Sequence, residues 1–119
     1  LSDDEIAGML KDSMAHAKDD AVNRALKEAV VEAQRMIEAT EAAMKEDPHL
    51  LNEAETTKIR ATIAKLSASM QGENRRLINI AMDDLGFETQ EFAHRRMDQS
   101  IKKVLSGRKV DDIKMGEDA

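Results

Sequence analysis

Apolar residues recur along this chain at steps of three and four, the spacing that lines one face of an α-helix. Ile6, Met9, Leu10, Met14 and Ala17 form the first such stripe. Ser2 followed by Glu5 just before it is a capping-box pattern, in which hydroxyl and carboxylate each satisfy a backbone N–H at the helix start. Asp3 and Asp4 suit the positive end of the helix dipole. A first helix is therefore predicted from about Asp3, within a first segment of residues 1–18. The charged step Lys18, Asp19, Asp20 predicts a kink or a break, because either aspartate could cap a new helix. After it Val22, Leu26, Ala29, Val30, Ala33, Met36, Ile37, Thr40 and Met44 keep a stripe, predicting a long second helix.

Pro48 lacks a backbone donor and biases Asp47 away from helical angles, so Glu46 to Leu51 reads as a loop. Asn52 with Glu55 repeats the capping pattern and opens a third helix carrying Ile59, Ile63, Leu66 and Met70, with Gly72 placed to end it. A fourth helix is predicted from near Asn74, with Leu77, Ile78, Ala81, Met82, Leu85, Phe92, Met97, Ile101, Val104 and Leu105 as its apolar positions and Gly107 as its stop. Gly86 costs roughly 1 kcal/mol against Ala inside a helix, which predicts a bend or a division between 86 and 98. The expected architecture is all-α: a helical bundle of four to five helices with a long second helix and a protruding first helix. Residues 19–107 hold the long helix and bundle, and 108–119 form a flexible tail.

Helix lengths add a constraint. Residues 3–45 would span about 65 Å and residues 53–70 about 27 Å at 1.5 Å per residue. Folding back from Pro48, the third helix reaches only about as far as Leu26, and the fourth returns along the same half. Ile6, Met9, Leu10 and Met14 are left without a partner in this chain, and such a stripe calls for another surface. They are the candidate interdomain or self-association face, so the isolated chain could dimerise through its first helix. The chain reads as a fragment or an attachment module.

Composition narrows the function. The charged fraction is 35%, with two Phe, no Tyr and no Trp, which fits amphipathic helices with solvated outer faces. One Pro and five Gly are too few for the spaced turns of an all-β chain. A net charge of −6 offers no broad positive surface to phosphates, which disfavours nucleic acid. No apolar run is long enough to cross a membrane, and the acidic start does not resemble a signal peptide. With no Cys, disulfides and thiol chemistry are excluded; cytoplasm is the expected location.

Candidate chemistry is sparse. His16, His49 and His94 lie on separate segments, and no pair has the i, i+4 spacing of two ligands on one helical face. Glu91 and His94 form the E-x-x-H pair of carboxylate-bridged metal bundles, but its only counterpart, Glu46 with His49, contains Pro48. No metal ligands are assigned. No glycine-rich phosphate loop or nucleophile motif occurs, so neither a cofactor nor catalysis is expected of this chain. The basic run Arg95, Arg96, Lys102, Lys103, Arg108, Lys109 fits the negative end of a helix dipole better than a partner site. Met36, Met44, Met70 and Met82 fall at core spacing; Met9 and Met14 are the methionines positioned to meet another protein.

The run Leu1-Ser2-Asp3-Asp4-Glu5-Ile6, followed by Met9, Lys11-Asp12 and Ala15 to Ala17, resembles the opening of the C-terminal helical lid of the DnaK-type heat-shock chaperones, where a similar L-[ST]-x-[DE]-E-I stretch leaves a β-sandwich peptide-binding domain. The order of helices is similar over nearly the whole chain. Lys11-Asp12-Ser13-Met14, Phe92-Ala93 and Arg95-Arg96-Met97-Asp98-Gln99-Ser100 look like the HscA branch of that family, devoted to iron–sulfur cluster assembly.

The resemblance implies an ATP-dependent chaperone whose nucleotide-binding domain, and with it the ATP and ATPase activity, lies outside this chain. It implies a lid over a bound client segment, similar to a proline-containing loop of an iron–sulfur scaffold protein delivered by a J-type co-chaperone. In DnaK lids an Asp and a His latch onto the sandwich. The matching positions here are Gln34 and Glu38, a departure, and the face with Gln34, Ile37 and Glu38 is expected to look toward the sandwich rim. The alternatives are a lid of a general protein-folding chaperone of the same type and a free-standing, self-associating helical adaptor.

Overall fold

The computed structural model describes the backbone of residues 2–117 and the side chains of residues 2–107. Among the described residues there are three α-helices and one short 3-10 turn: α1 Asp3–Glu46, the turn Pro48–Leu50, α2 Glu53–Ser69 and α3 Arg75–Glu117. The all-α reading holds, with three helices where four to five were expected.

The difference comes from places where the helix does not stop. The Ser2 hydroxyl accepts from the Glu5 backbone N–H at 3.2 Å and starts α1, which then runs unbroken through Lys18, Asp19 and Asp20. Charged residues without Gly or Pro cost a helix only tenths of a kcal/mol each, so this step changes which face is apolar without breaking the backbone. Likewise α3 continues through Gly86 and Gly107, and no described glycine adopts a positive φ. One glycine costs about 1 kcal/mol, less than the tertiary packing that carries α3 past Gly86. The predicted stop at Gly107 is therefore replaced by helical backbone to Glu117. Of the expected tail, residues 118–119 lie outside the described residues.

The turn between α1 and α2 follows the sequence closely. Pro48 needs no donor at the first 3-10 position. Asn52 Oδ1 accepts from the Glu55 N–H at 2.7 Å while Glu55 Oε1 accepts from the Asn52 N–H at 3.0 Å, a complete capping box. At the far end Asn74 Oδ1 accepts from the backbone N–H groups of Arg76 and Leu77 and starts α3.

The core lies in one half of the molecule. Ala29, Ala33, Ala43 and Met44 of α1, Ile59, Ile63 and Leu66 of α2, and Ile78, Leu85 and Phe92 of α3 are buried together. Ile78, Leu85 and Phe92 sit at heptad spacing, so one edge of α3 faces the cleft between the other two helices. The small alanines of α1 let α3 approach closely. Leu26 is the first sizeable side chain of α1 packed against this cluster, the limit expected from helix lengths. Residues 2–24 are all exposed and project as an arm about 33 Å long, giving a molecule 91 × 40 × 17 Å.

Candidate functional site: the outer face of α1

The arm carries its apolar residues into solvent. Ile6 is 44% exposed, Met9 62%, Leu10 61% and Met14 73%. These are large side chains for which burial would contribute about 1.5–3 kcal/mol each. A continuous helix also fixes where this stripe points. At about 100° per residue, Met9 lies about 160° round the axis from buried Ala29 and Ile6 about 180° from buried Ala33, so these two face away from the side of α1 that packs on the bundle, while Met14 lies about 60° from Ala29, nearer the bundle side.

The same arithmetic brings distant positions together. Met9 and Gln34 fall within about 20° of one another on α1, and Ile6 and Glu38 within about 40°. Gln34 and Glu38 are exposed, and Ile37 turns inward against the core. The three expected latch positions are therefore divided: two lie on an outer face shared with Ile6 and Met9, and the third packs in the bundle.

The basic run on α3 resolves into two parts. Arg96 Nε donates to Asp47 Oδ2 at 2.9 Å and its Nη2 to Glu46 Oε2 at 3.1 Å. Arg95 Nη1 donates to the Leu50 carbonyl at 2.8 Å and to Glu55 Oε1 at 2.9 Å. Gln99 Nε2 donates to Asp47 Oδ1 at 2.8 Å and its Oε1 pairs with His49 Nε2. The hydrogen bond from Arg96, then that from Gln99, holds the Asp47 carboxyl below its ordinary pKa; Arg95, then the Asn52 N–H, does the same for Glu55. Together they clasp the α1–α2 turn onto α3. Lys102 and Lys103 are exposed beyond it, and the Arg108 and Lys109 side chains lie outside the described residues.

Asp47 and Gln99 escaped the sequence reading. A signal was present: Arg95, Arg96 and Gln99 stand three, four and seven residues after Phe92, on its buried side of α3. Glu91 Oε1 pairs with Arg95 at 3.5 Å, while His94 is exposed. Among the described residues no three His, Asp or Glu side chains converge as a metal site, and no helix is long and apolar enough to cross a membrane.

The fold is a small helical bundle from which α1 extends as one exposed arm. The family model described as Hsp70 protein matches residues 1–98. The chain is 48% identical over 113 residues to the chaperone protein HscA of Yersinia enterocolitica and 50% identical over 113 residues to the HscA homolog of Burkholderia multivorans. It is 46% identical over 115 residues to the homolog of Aromatoleum aromaticum. These matches cover 95%, 95% and 97% of this chain and 18% of each relative. The chain belongs to the Hsp70 chaperone family and is similar to its HscA members. It spans about a fifth of the length of these curated relatives.

Proposed function

We propose that this chain is the helical lid of an HscA-like chaperone, closing over a client segment held by a β-sandwich domain not included in these 119 residues. The observation that carries the reading is the outer face of α1. It presents Ile6 and Met9 at one end and Gln34 and Glu38 at the other, opposite the bundle and along one rigid helix. A flat surface laid on the arm would meet both ends at once.

The lid acts by obstruction. A client leaves only when the arm and outer face lift away, so the lid slows dissociation without forming bonds to the client. By the HscA resemblance, the client is a proline-containing loop of an iron–sulfur scaffold protein, delivered by a J-type co-chaperone. ATP is held and hydrolysed in a separate nucleotide-binding domain, whose state sets whether the lid is open. Cytoplasm is the location that goes with this role. The clasp around Asp47 keeps the far end of the lid rigid, so that movement at the arm carries the whole bundle.

The test is a titration of a labelled proline-containing scaffold peptide into this chain alone and into the same chain joined to its peptide-binding domain. Binding only by the joined form is expected. Tight binding by the chain alone would overturn the lid reading.

A further inference from the structure

Met9, Met14 and Met97 are each at least 60% exposed, whereas Met44 is buried and Met36, Met70 and Met82 pack partly against the core. The chain has no cysteine, so thioethers are its only sulfur groups. A thioether in solvent is open to oxidation, and its sulfoxide is polar where the methionine was apolar. What oxidation does then depends on what each side chain is placed to touch.

Of these three, Met9 alone lies on the outer face of α1. It falls within about 20° of both Gln34 and Glu38 and about 160° from buried Ala29. Met14 lies about 140° round the same helix from Met9. Met97 is on α3 next to Arg96, which bonds to Glu46 and Asp47 at the end of the bundle opposite the arm. A surface that meets both ends of the outer face covers Met9 and leaves Met14 and Met97 uncovered.

We infer that Met9 is an oxidation switch of the lid, with a hydroperoxide as the modifying reagent. The inference rests on the lid reading and adds a regulation of the face that closes. The sulfur of Met9 attacks one peroxide oxygen, and the O–O bond breaks as an S–O bond forms. The proton of the transferred oxygen passes to the departing oxygen, which leaves as water or an alcohol; sulfur loses two electrons and the peroxide gains them. The sulfoxide must then be desolvated each time the lid closes, which favours the open lid. Closure in turn hides Met9 from the reagent, so oxidation selects open lids and holds them open.

The experiment treats the full-length chaperone carrying this segment with hydrogen peroxide, in ATP or in ADP with a labelled proline-containing scaffold peptide. Mass spectrometry follows sulfoxide at each methionine. Peptide release is measured before and after treatment for the parent, M9L and M97L, each protein being compared with itself. Sulfoxide at Met9 should form at least about threefold more slowly in the nucleotide state that releases peptide more slowly, while Met14 and Met97 react alike in both. Oxidation should speed release from the parent and M97L about three- to tenfold and leave M9L unchanged. Methionine sulfoxide reductases should restore the parent. Equal acceleration of M9L and the parent overturns the switch, by placing the lesion elsewhere. Oxidation of Met9 at one rate in both states overturns it too. So does full sulfoxide at Met9 with unchanged release, and if the form ending before Asp3 still releases peptide faster, the lid stands. If that truncated form also releases peptide at the parent's rate, the lid reading itself fails and takes the switch with it.

Discussion

Arg96 Nε donates to Asp47 Oδ2 at 2.9 Å, tying the middle of α3 to the residue that ends α1. Asp47 is buried there, and Gln99 takes its other carboxylate oxygen. The α1–α2 turn thus owes its position to polar groups as much as to Leu50 and Leu51, which pack beside it. Replacing Arg96 by Met keeps much of the stem but leaves the carboxylate without its main donor, and is expected to lower the urea midpoint clearly. An unchanged midpoint would show that the clasp is ornamental.

The clasp also sets the acid limit of stability. The folded-state pKa values of Asp47 and Glu55 lie below those of free side chains, about 3.9 and 4.3. Their stabilisation is therefore complete above the unfolded values and is lost as pH falls through the depressed folded ones. Stability followed by circular dichroism should be flat from about pH 7 to 5 and decline below about pH 4. Asp47→Asn should make that decline shallower, and matching acid limbs for the two proteins would contradict the assignment.

Leu85 is fully buried among the three helices. Leu85→Ala should cost about 2–5 kcal/mol in urea unfolding, the range for a large-to-small change in a core that relaxes only partly. Met14→Ala, on the exposed arm, should change stability by less than about 0.5 kcal/mol. Comparable losses at the two sites would mean that the arm is packed in solution.

Gly86 predicts a gain. A Cβ built there meets Met36 Cε at 3.7 Å, an ordinary contact, and the backbone is helical. Gly86→Ala should therefore stabilise the chain by about 0.5–1 kcal/mol. A lower melting temperature would show that the α1–α3 approach at this point has no room for a methyl group.

The bundle was legible because its elements obey local rules. Asn52 and Glu55 cap α2 as their spacing requires, Pro48 opens the turn, and the core positions of α2 and α3 follow the heptad-like stripe. The length of α2 alone placed the end of the packed region at Leu26. The continuity of α1 and α3 was not legible, because Lys18 to Asp20, Gly86 and Gly107 carry breaker signals worth about 1 kcal/mol or less, which neighbouring turns override. The clasp was hidden for another reason. Arg95 and Arg96 read as ordinary cations of a helix face until the packing of α3 on the α1–α2 turn brings them onto Asp47 and Glu55, partners 40 or more residues away in the chain. The alignment of Met9 with Gln34 likewise depends on α1 being unbroken.

Self-association can be separated from docking by sedimentation of the isolated chain beside Met9→Asp. The lid account expects the same monomer mass for both. A dimer that Met9→Asp dissolves would favour the self-associating adaptor.

The central claim is that these helices retain a client held by another domain. Its most direct test is the release rate of a labelled scaffold peptide from the full-length chaperone, compared with the same chaperone ending before Asp3. Release from the truncated form is expected to be at least about tenfold faster, since affinity differences between related complexes reside mostly in dissociation. Equal release rates would contradict the account.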